Sequence, residues 1–249
     1  MCFSYNNEKV LEYFKHPDKI ISEEIFGMQK QSDNAYIALA IFVVFNNKID
    51  KNMFSSKTDI ILKDIINESI LNQCPTIQTL RLTLPSLIGE FVMDNEMYYC
   101  LLGTQLFDVC VTCLGGSFVE SILKYSSSIF IKERLQILPT LEKKCSYTIT
   151  VQRHMVGDFF RRLTTDMNNN FIADVLGNKL FESEEYRGKF VSYLYKHVNS
   201  ETLTDASTGS NVLHIVSSLG YLDFLKYFLK KDNYKNINKA NSRMETPCT

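Results

Sequence analysis

The eleven residues Ala35–Phe45 read Ala-Tyr-Ile-Ala-Leu-Ala-Ile-Phe-Val-Val-Phe and carry no charge. A helix that is apolar all round has no face to give to water, so it must sit at the centre of a core, sheathed by other elements. The run is about half the length a bilayer span needs, so no membrane role is expected. The sheath must come from amphipathic segments. A chain of 249 residues, 45% apolar and 22% charged, supplies them and is not wholly disordered. The net charge of −1 excludes a global field that gathers nucleic acid or anionic lipid.

The segments around this run alternate as helices. Pro17-Asp18 opens one that reaches about Met28. Ser32-Asp33 stand where the central helix needs a cap, and Asn46-Asn47 where it stops. Over Thr58–Asn72, Lys63, Asp64, Asn67 and Glu68 fall on one face and Ile61, Ile65, Ile66 and Ile70 on another. Thr76–Glu90 places Leu80, Leu84 and Leu87 at helical spacing, with Pro85 set to break or kink it. Phe91-Val92-Met93 and Met97–Leu101 flank Asp94-Asn95-Glu96, the pattern of a β-hairpin. A further helix, Gln105–Leu114, ends at Gly115-Gly116, and Ser117–Glu120 has the spacing of a capping box. Helix, hairpin, helix is the order of a winged-helix module. Between Thr76 and Gly116 only Arg81 is basic, which disfavours DNA binding and favours a wing used for packing.

Tyr147–Val198 reads as helical again. Phe159, Phe160, Leu163 and Met167 share one face, and Asn168-Asn169-Asn170 is a break. Arg153, Arg161 and Arg162 form the nearest approach to a basic cluster, and with Asp158 and Asp166 among them they read as a solvated face.

Chemistry-bearing residues are scattered. The seven cysteines are an odd set lying mostly in apolar runs, which points to reduced, buried thiols and a cytoplasmic setting. Cys110-Val-Thr-Cys113 lacks the second ligand pair of a zinc site and lies inside a helix, so it reads as core. His16, His154, His197 and His214 have no HxxxH or HExxH partner. Gly188-Lys189 lacks the rest of a P-loop. Met1–Tyr5, followed by Asn, Glu and Lys, is not a signal peptide. No enzymatic activity, metal or cofactor is expected.

The C-terminal stretch carries the clearest pattern. Asn211-Val-Leu213-His214 opens a helix, Gly220-Tyr-Leu-Asp forms a turn, and Leu225, Lys226, Phe228 and Leu229 fall on a second helix. Asn238 and then Thr246-Pro247 follow, Thr246 lying 35 residues after Asn211. Residues Gly209–Thr249 thus resemble the ankyrin repeat, with Asn211-Val212 in the Thr-Pro places and Met244 where Gly is usual. The resemblance makes Leu213, His214, Gly220, Leu229, Asn238, Thr246 and Pro247 structural, with His214 holding the turn. It implies a protein partner on the loops carrying Ser207, Gly209, Ser210, Lys239, Asn241 and Arg243. It also implies that the chain ends just inside a further repeat, as a fragment would, with Phe224, Tyr227 and Phe228 left on an uncovered face.

Tyr99–Gly115, Ser126–Leu135 and Phe171–Asn178 resemble a second, larger context. It is the region between the NTPase core and the ankyrin array in invertebrate ankyrin-repeat proteins with a novel-class STAND NTPase module. The His and Asp places of that family's Phe-Leu-His-Asp-like element fall here on Gly103 and Thr104, which cannot bridge a diphosphate, so nucleotide binding is not expected. The expected fold is mainly α. It comprises a helical bundle (1–75), a winged-helix-like module with its β-hairpin (76–146), a helical connector (147–204) and the start of an ankyrin-type solenoid (205–249). The expected function is a non-enzymatic protein-interaction scaffold. The alternative is the regulatory arm of a STAND-type ATPase switch whose P-loop domain lies upstream.

Overall fold

The computed structural model describes residues 15–31, 34–54, 58–69, 71, 73–137, 147–197, 203–231 and 235–247. The chain is mainly helical, with two small sheets among the described residues. It divides into two compact units, Met1–Ser127 with Cys145–Ile149, and Ser128–Lys144 with Thr150–Thr249.

The first unit is organised around the apolar run. Helix α2 (Asn34–Val44) buries every residue from Ala35 to Val44. Its sheath is α1 (Pro17–Lys30), α3 (Asp59–Glu68), α4 (Ile77–Ser86), α5 (Thr104–Leu114) and α6 (Val119–Tyr125), all of which pack on it. The helix stops because Asn46 and Asn47 take φ of 51° and 59°, a left-handed conformation that asparagine tolerates. Its expected cap, Ser32-Asp33, lies outside the described residues. On α3 the apolar face is Leu62, Ile65 and Ile66. Pro85 sits one residue before the end of α4, which it terminates rather than kinks.

The hairpin is β2 (Val92–Asp94) against β3 (Tyr98–Leu101), antiparallel, with Met93 opposite Cys100. A third strand that the sequence pattern did not show, β1 (Ile49–Asp50), pairs with β3, giving the order β1-β3-β2. The capping box expected at Ser117–Glu120 does not form. A 3-10 turn over Gly115–Ser117 moves the helix start to Phe118, whose side chain caps nothing. The free amides of α6 are met instead by Glu68, the last residue of α3. Its carboxylate accepts from Glu120 N at 2.7 Å and Ser121 N at 2.8 Å.

The second unit begins with α7 (Ser128–Arg134) and β4 (Leu135–Ile137), which pairs with β5 (Ile149–Val151). Helices α8 (Val156–Asn168), α9 (Ile172–Leu176) and α10 (Glu184–His197) follow, then α11 (Val212–Leu219) and α12 (Leu222–Lys231). Helix α9 packs on α11 and α10 packs on α12. Phe159, Phe160, Leu163 and Met167 are buried along α8. Arg162, expected in a solvated face, is nearly buried and holds the buried Asp166 carboxylate through both oxygens at 2.9 Å. Burial pushes the Asp166 carboxyl up more than Arg162 pulls it down.

Phe224, Tyr227 and Phe228 correct a further expectation, since all three are buried. Phe224 meets Phe181 edge-on at 5.0 Å and Phe190 of α10 at 6.2 Å, so α10 covers the face expected to stand open. Leu219 and Leu222 are the exposed apolar residues of the pair.

The division into units differs from the four segments drawn on sequence pattern. Helix α2 packs on helices from both sides of position 75, and α7 packs on α9, which joins 128–137 to the second unit. No single helix among the described residues is long and apolar enough to cross a membrane.

Candidate functional site

The site is built from two loops of like construction that flank α11. In the first, Asp205 places its carboxylate inside the turn. Its Oδ1 accepts from Ser207 N and Thr208 N, both at 3.0 Å, and from both hydroxyls. Its Oδ2 accepts from Ala173 N, at the start of α9, at 2.8 Å. Burial pushes this carboxyl up, but the donors from Ala173, Ser207 and Thr208 outweigh it and hold the group below its ordinary range. Gly209 closes the turn at φ 65°, and its N–H donates to Asp205 O.

The second loop uses a similar device in a turn one residue shorter. Asn241 Oδ1 accepts from Arg243 N at 2.9 Å and Glu245 N at 3.1 Å. Met244 N donates to Asn241 O, and Met244 takes φ 63°, the conformation of Gly209 35 residues earlier. Ser242 Oγ donates to Thr208 O at 3.0 Å, which joins the loops.

Helix α11 starts from the first loop. Asn211 is its N-cap, and its Oδ1 accepts from Leu213 N at 3.0 Å and His214 N at 3.2 Å. The His214 ring lies between two acceptors. Nδ1 is 2.8 Å from Asn211 Oδ1, and Nε2 is 2.9 Å from Glu245 O in the second loop. Leu213 is buried beneath it. Gly220 ends α11 in the left-handed region at φ 69°, where a side chain is strained.

Between these loops and α9 lies a groove of about 800 Å3. One wall is Lys132, Ala173 and Gly177. The other is Ile215, Ser217, Ser218 and Leu219 of α11 with Thr208, Ser210, His214, Asn241, Arg243, Glu245, Thr246 and Pro247. Lys132 lies 3.5 Å from Asp174, and Asn241 Nδ2 donates to Glu245 Oε2 at 3.0 Å.

Ser210, His214, Asn241, Arg243, Thr246 and Pro247 were expected from sequence and meet in this groove. Ser207 and Gly209 belong to the first loop but do not line it, and Lys239 and Asn238 are exposed just before the second. Gly220 and Leu229 serve the helix pair. Lys132, Ala173 and Gly177 were missed because they come from distant sequence with no local signal. Asp205 was also missed, although Asp-Ala-Ser-Thr is an Asx-turn pattern that marks it.

Elsewhere, Cys110 is buried and Cys113 half-buried, both free, and burial pushes the Cys110 thiol up. Cys2, Cys145 and Cys248 lie outside the described residues. Among the described residues no group of three or more His, Cys, Asp or Glu is placed to hold a metal ion. Gly103 and Thr104 lie exposed at the start of α5. Comparison with protein-family models, with curated proteins and with solved structures gives no match.

Proposed function

We propose that the chain is a protein-interaction scaffold rather than an enzyme, in which a helical arm leads into an ankyrin-type repeat and a partner docks in the groove beside α11. The observation that carries this reading is the doubled loop. Asp205 and Asn241 open the two turns, Gly209 and Met244 close them in the same left-handed conformation, and Asn211, the N-cap of α11, and Thr246 each follow two residues later. Around that repeat α9 and α10 stack on α11 and α12 respectively, the layered contact of a solenoid with α9–α10 as its terminal cap. His214 ties one turn to the next, a structural role. In the first unit the order α4, β2, β3, α5 is that of a winged-helix-like module. There the wing is anchored internally, Asn47 Oδ1 accepting from Leu101 N at 2.7 Å and Lys51 meeting Asp94 at 2.6 Å.

The test is partner capture with a blocked groove. Ser218 is exposed and lines the groove, so Ser218→Trp fills it without entering the core. Proteins cross-linked by the native chain are expected to be lost with Ser218→Trp and kept with a substitution at the exposed Glu96, which does not line the groove. An unchanged set of partners refutes the groove as the docking surface.

A further inference from the structure

The C-terminal stretch concentrates positive charge that the fold does not use. From Lys226 to Glu245 there are six basic residues against Asp232 and Glu245, a net +4 in a chain whose net charge is −1. Some exposed cations elsewhere meet carboxylates, Lys51 with Asp94, Lys124 with Asp64, Arg161 with Asp158 and Lys189 with Glu185, while others such as Lys63 and Arg153 form no ion pair among the described residues. Lys226, Lys230, Lys231, Lys235, Lys239 and Arg243 form no ion pair among the described residues. Arg243 lines the groove, and Lys239 lies exposed two residues before its neighbour Asn241. The lining sets two cations, Lys132 and Arg243, against one carboxylate, Glu245, which accepts from the neutral Asn241 amide and keeps its charge.

We infer that the groove takes an acidic peptide segment whose carboxylates meet Arg243 and Lys239; the inference rests on the docking reading above and names the partner class. Unpaired cations at the rim of a concave surface steer an anionic partner and fix its orientation. Thr208, Ser210, Ser217 and Ser218 line the groove with hydroxyls that can bond a peptide backbone, and its volume of about 800 Å3 lies in the range of ligand sites. A nucleic acid fits less well. Single-strand binders stack bases on aromatic rings, and no Phe, Tyr or Trp lines this groove.

The experiment is fluorescence anisotropy on the full chain. The probes are a labelled peptide of about twelve residues that alternates Glu with Gly and Ser, its Gln counterpart, and a single-stranded oligonucleotide of equal charge. The Glu peptide is expected to bind at least about tenfold tighter than the Gln peptide. Its affinity is expected to fall by at least about tenfold in the exposed-site variant Lys239→Glu/Arg243→Glu, to fall with added salt, and to vanish in Ser218→Trp. Equal binding of both peptides that Ser218→Trp still abolishes overturns the acidic class and leaves the docking reading standing. Absence of Glu-peptide binding overturns the inference, and partner capture then decides the docking reading separately. Oligonucleotide binding as tight as the Glu peptide's and indifferent to Ser218→Trp overturns it in favour of an unspecific basic surface.

Discussion

Removing the Asp205 carboxylate should loosen the groove from both sides. Asp205 is 2% exposed and accepts from two residues of its own loop and from Ala173 N across the groove wall. A hydrogen bond to a charged group contributes about 1.5–3 kcal/mol, and bonds sharing one acceptor do not add. Asp205→Ala should therefore cost about 3 kcal/mol, leaving the Ala173, Ser207 and Thr208 amides without their acceptor. Asp205→Asn should cost nearly as much, about 2–3 kcal/mol, because its amide nitrogen faces a donor. The pH dependence follows from the depressed folded-state carboxyl. A group with a folded pKa below its unfolded value, here about 3.9, contributes stability that is fully present above that value. That stability is lost as pH falls through the lower, folded value. Urea unfolding of the native chain and both variants, monitored by tyrosine fluorescence and by amide exchange at Ser207 and Thr208, measures this. The gap between native and Asp205→Ala should be widest at neutral pH and narrow below about pH 4. A gap under about 0.5 kcal/mol, or one that does not change with pH, would refute the reasoning.

Three further outcomes can be checked by the same unfolding assay. Met244 is 84% exposed at φ 63°, so Met244→Gly should relieve strain and raise stability by about 0.5–1 kcal/mol; a loss of stability contradicts it. Arg187 grips both Asp223 oxygens at 3.0 and 2.8 Å and Phe181 O at 2.7 Å, so Arg187→Ala should cost about 2–3 kcal/mol. Arg187→Lys, which lacks the planar fork, should recover under half of that loss, and full recovery is the contrary result. His214→Ala should cost about 1–3 kcal/mol and speed exchange in the second loop, whereas an unchanged melting temperature removes His214 as the tie between turns.

Local pattern made much of the first unit legible. An eleven-residue apolar run admits one solution in water, and α2 adopts it. The hairpin was legible because apolar runs flank Asp94-Asn95-Glu96, whereas β1 was not, since two residues, Ile49 and Asp50, carry no alternation and become a strand only by pairing with β3. The Ser117–Glu120 box failed for a related reason. Its spacing was right, but the chain takes a 3-10 turn over Gly115–Ser117, and Glu68, far away in sequence, supplied the cap. Arg162 was misjudged because an i,i+4 partner looks alike from sequence whether the pair is wet or sealed.

The groove divides along the same line. Its loop wall was legible because turn residues declare themselves locally: Gly209 at positive φ, Asn211 before an apolar helix, Thr246-Pro247 ahead of a fresh turn. Its other wall was not, since nothing in the sequences around Lys132 or Gly177 says that they will face Ser210. What brings them there is a contact between buried elements: α9 packs on α11, and the Asp205 carboxylate fastens the loop to the second amide of α9, Ala173 N. The loop wall is thus fastened to α9 by the buried Asp205 carboxylate, whereas Arg243 in the lining and Lys239 before the second loop are exposed. The two are separable by experiment. Asp205 substitutions should change stability and weaken docking of any peptide alike, whereas reversing Lys239 and Arg243 should leave stability within about 0.5 kcal/mol and alter only which peptide is taken.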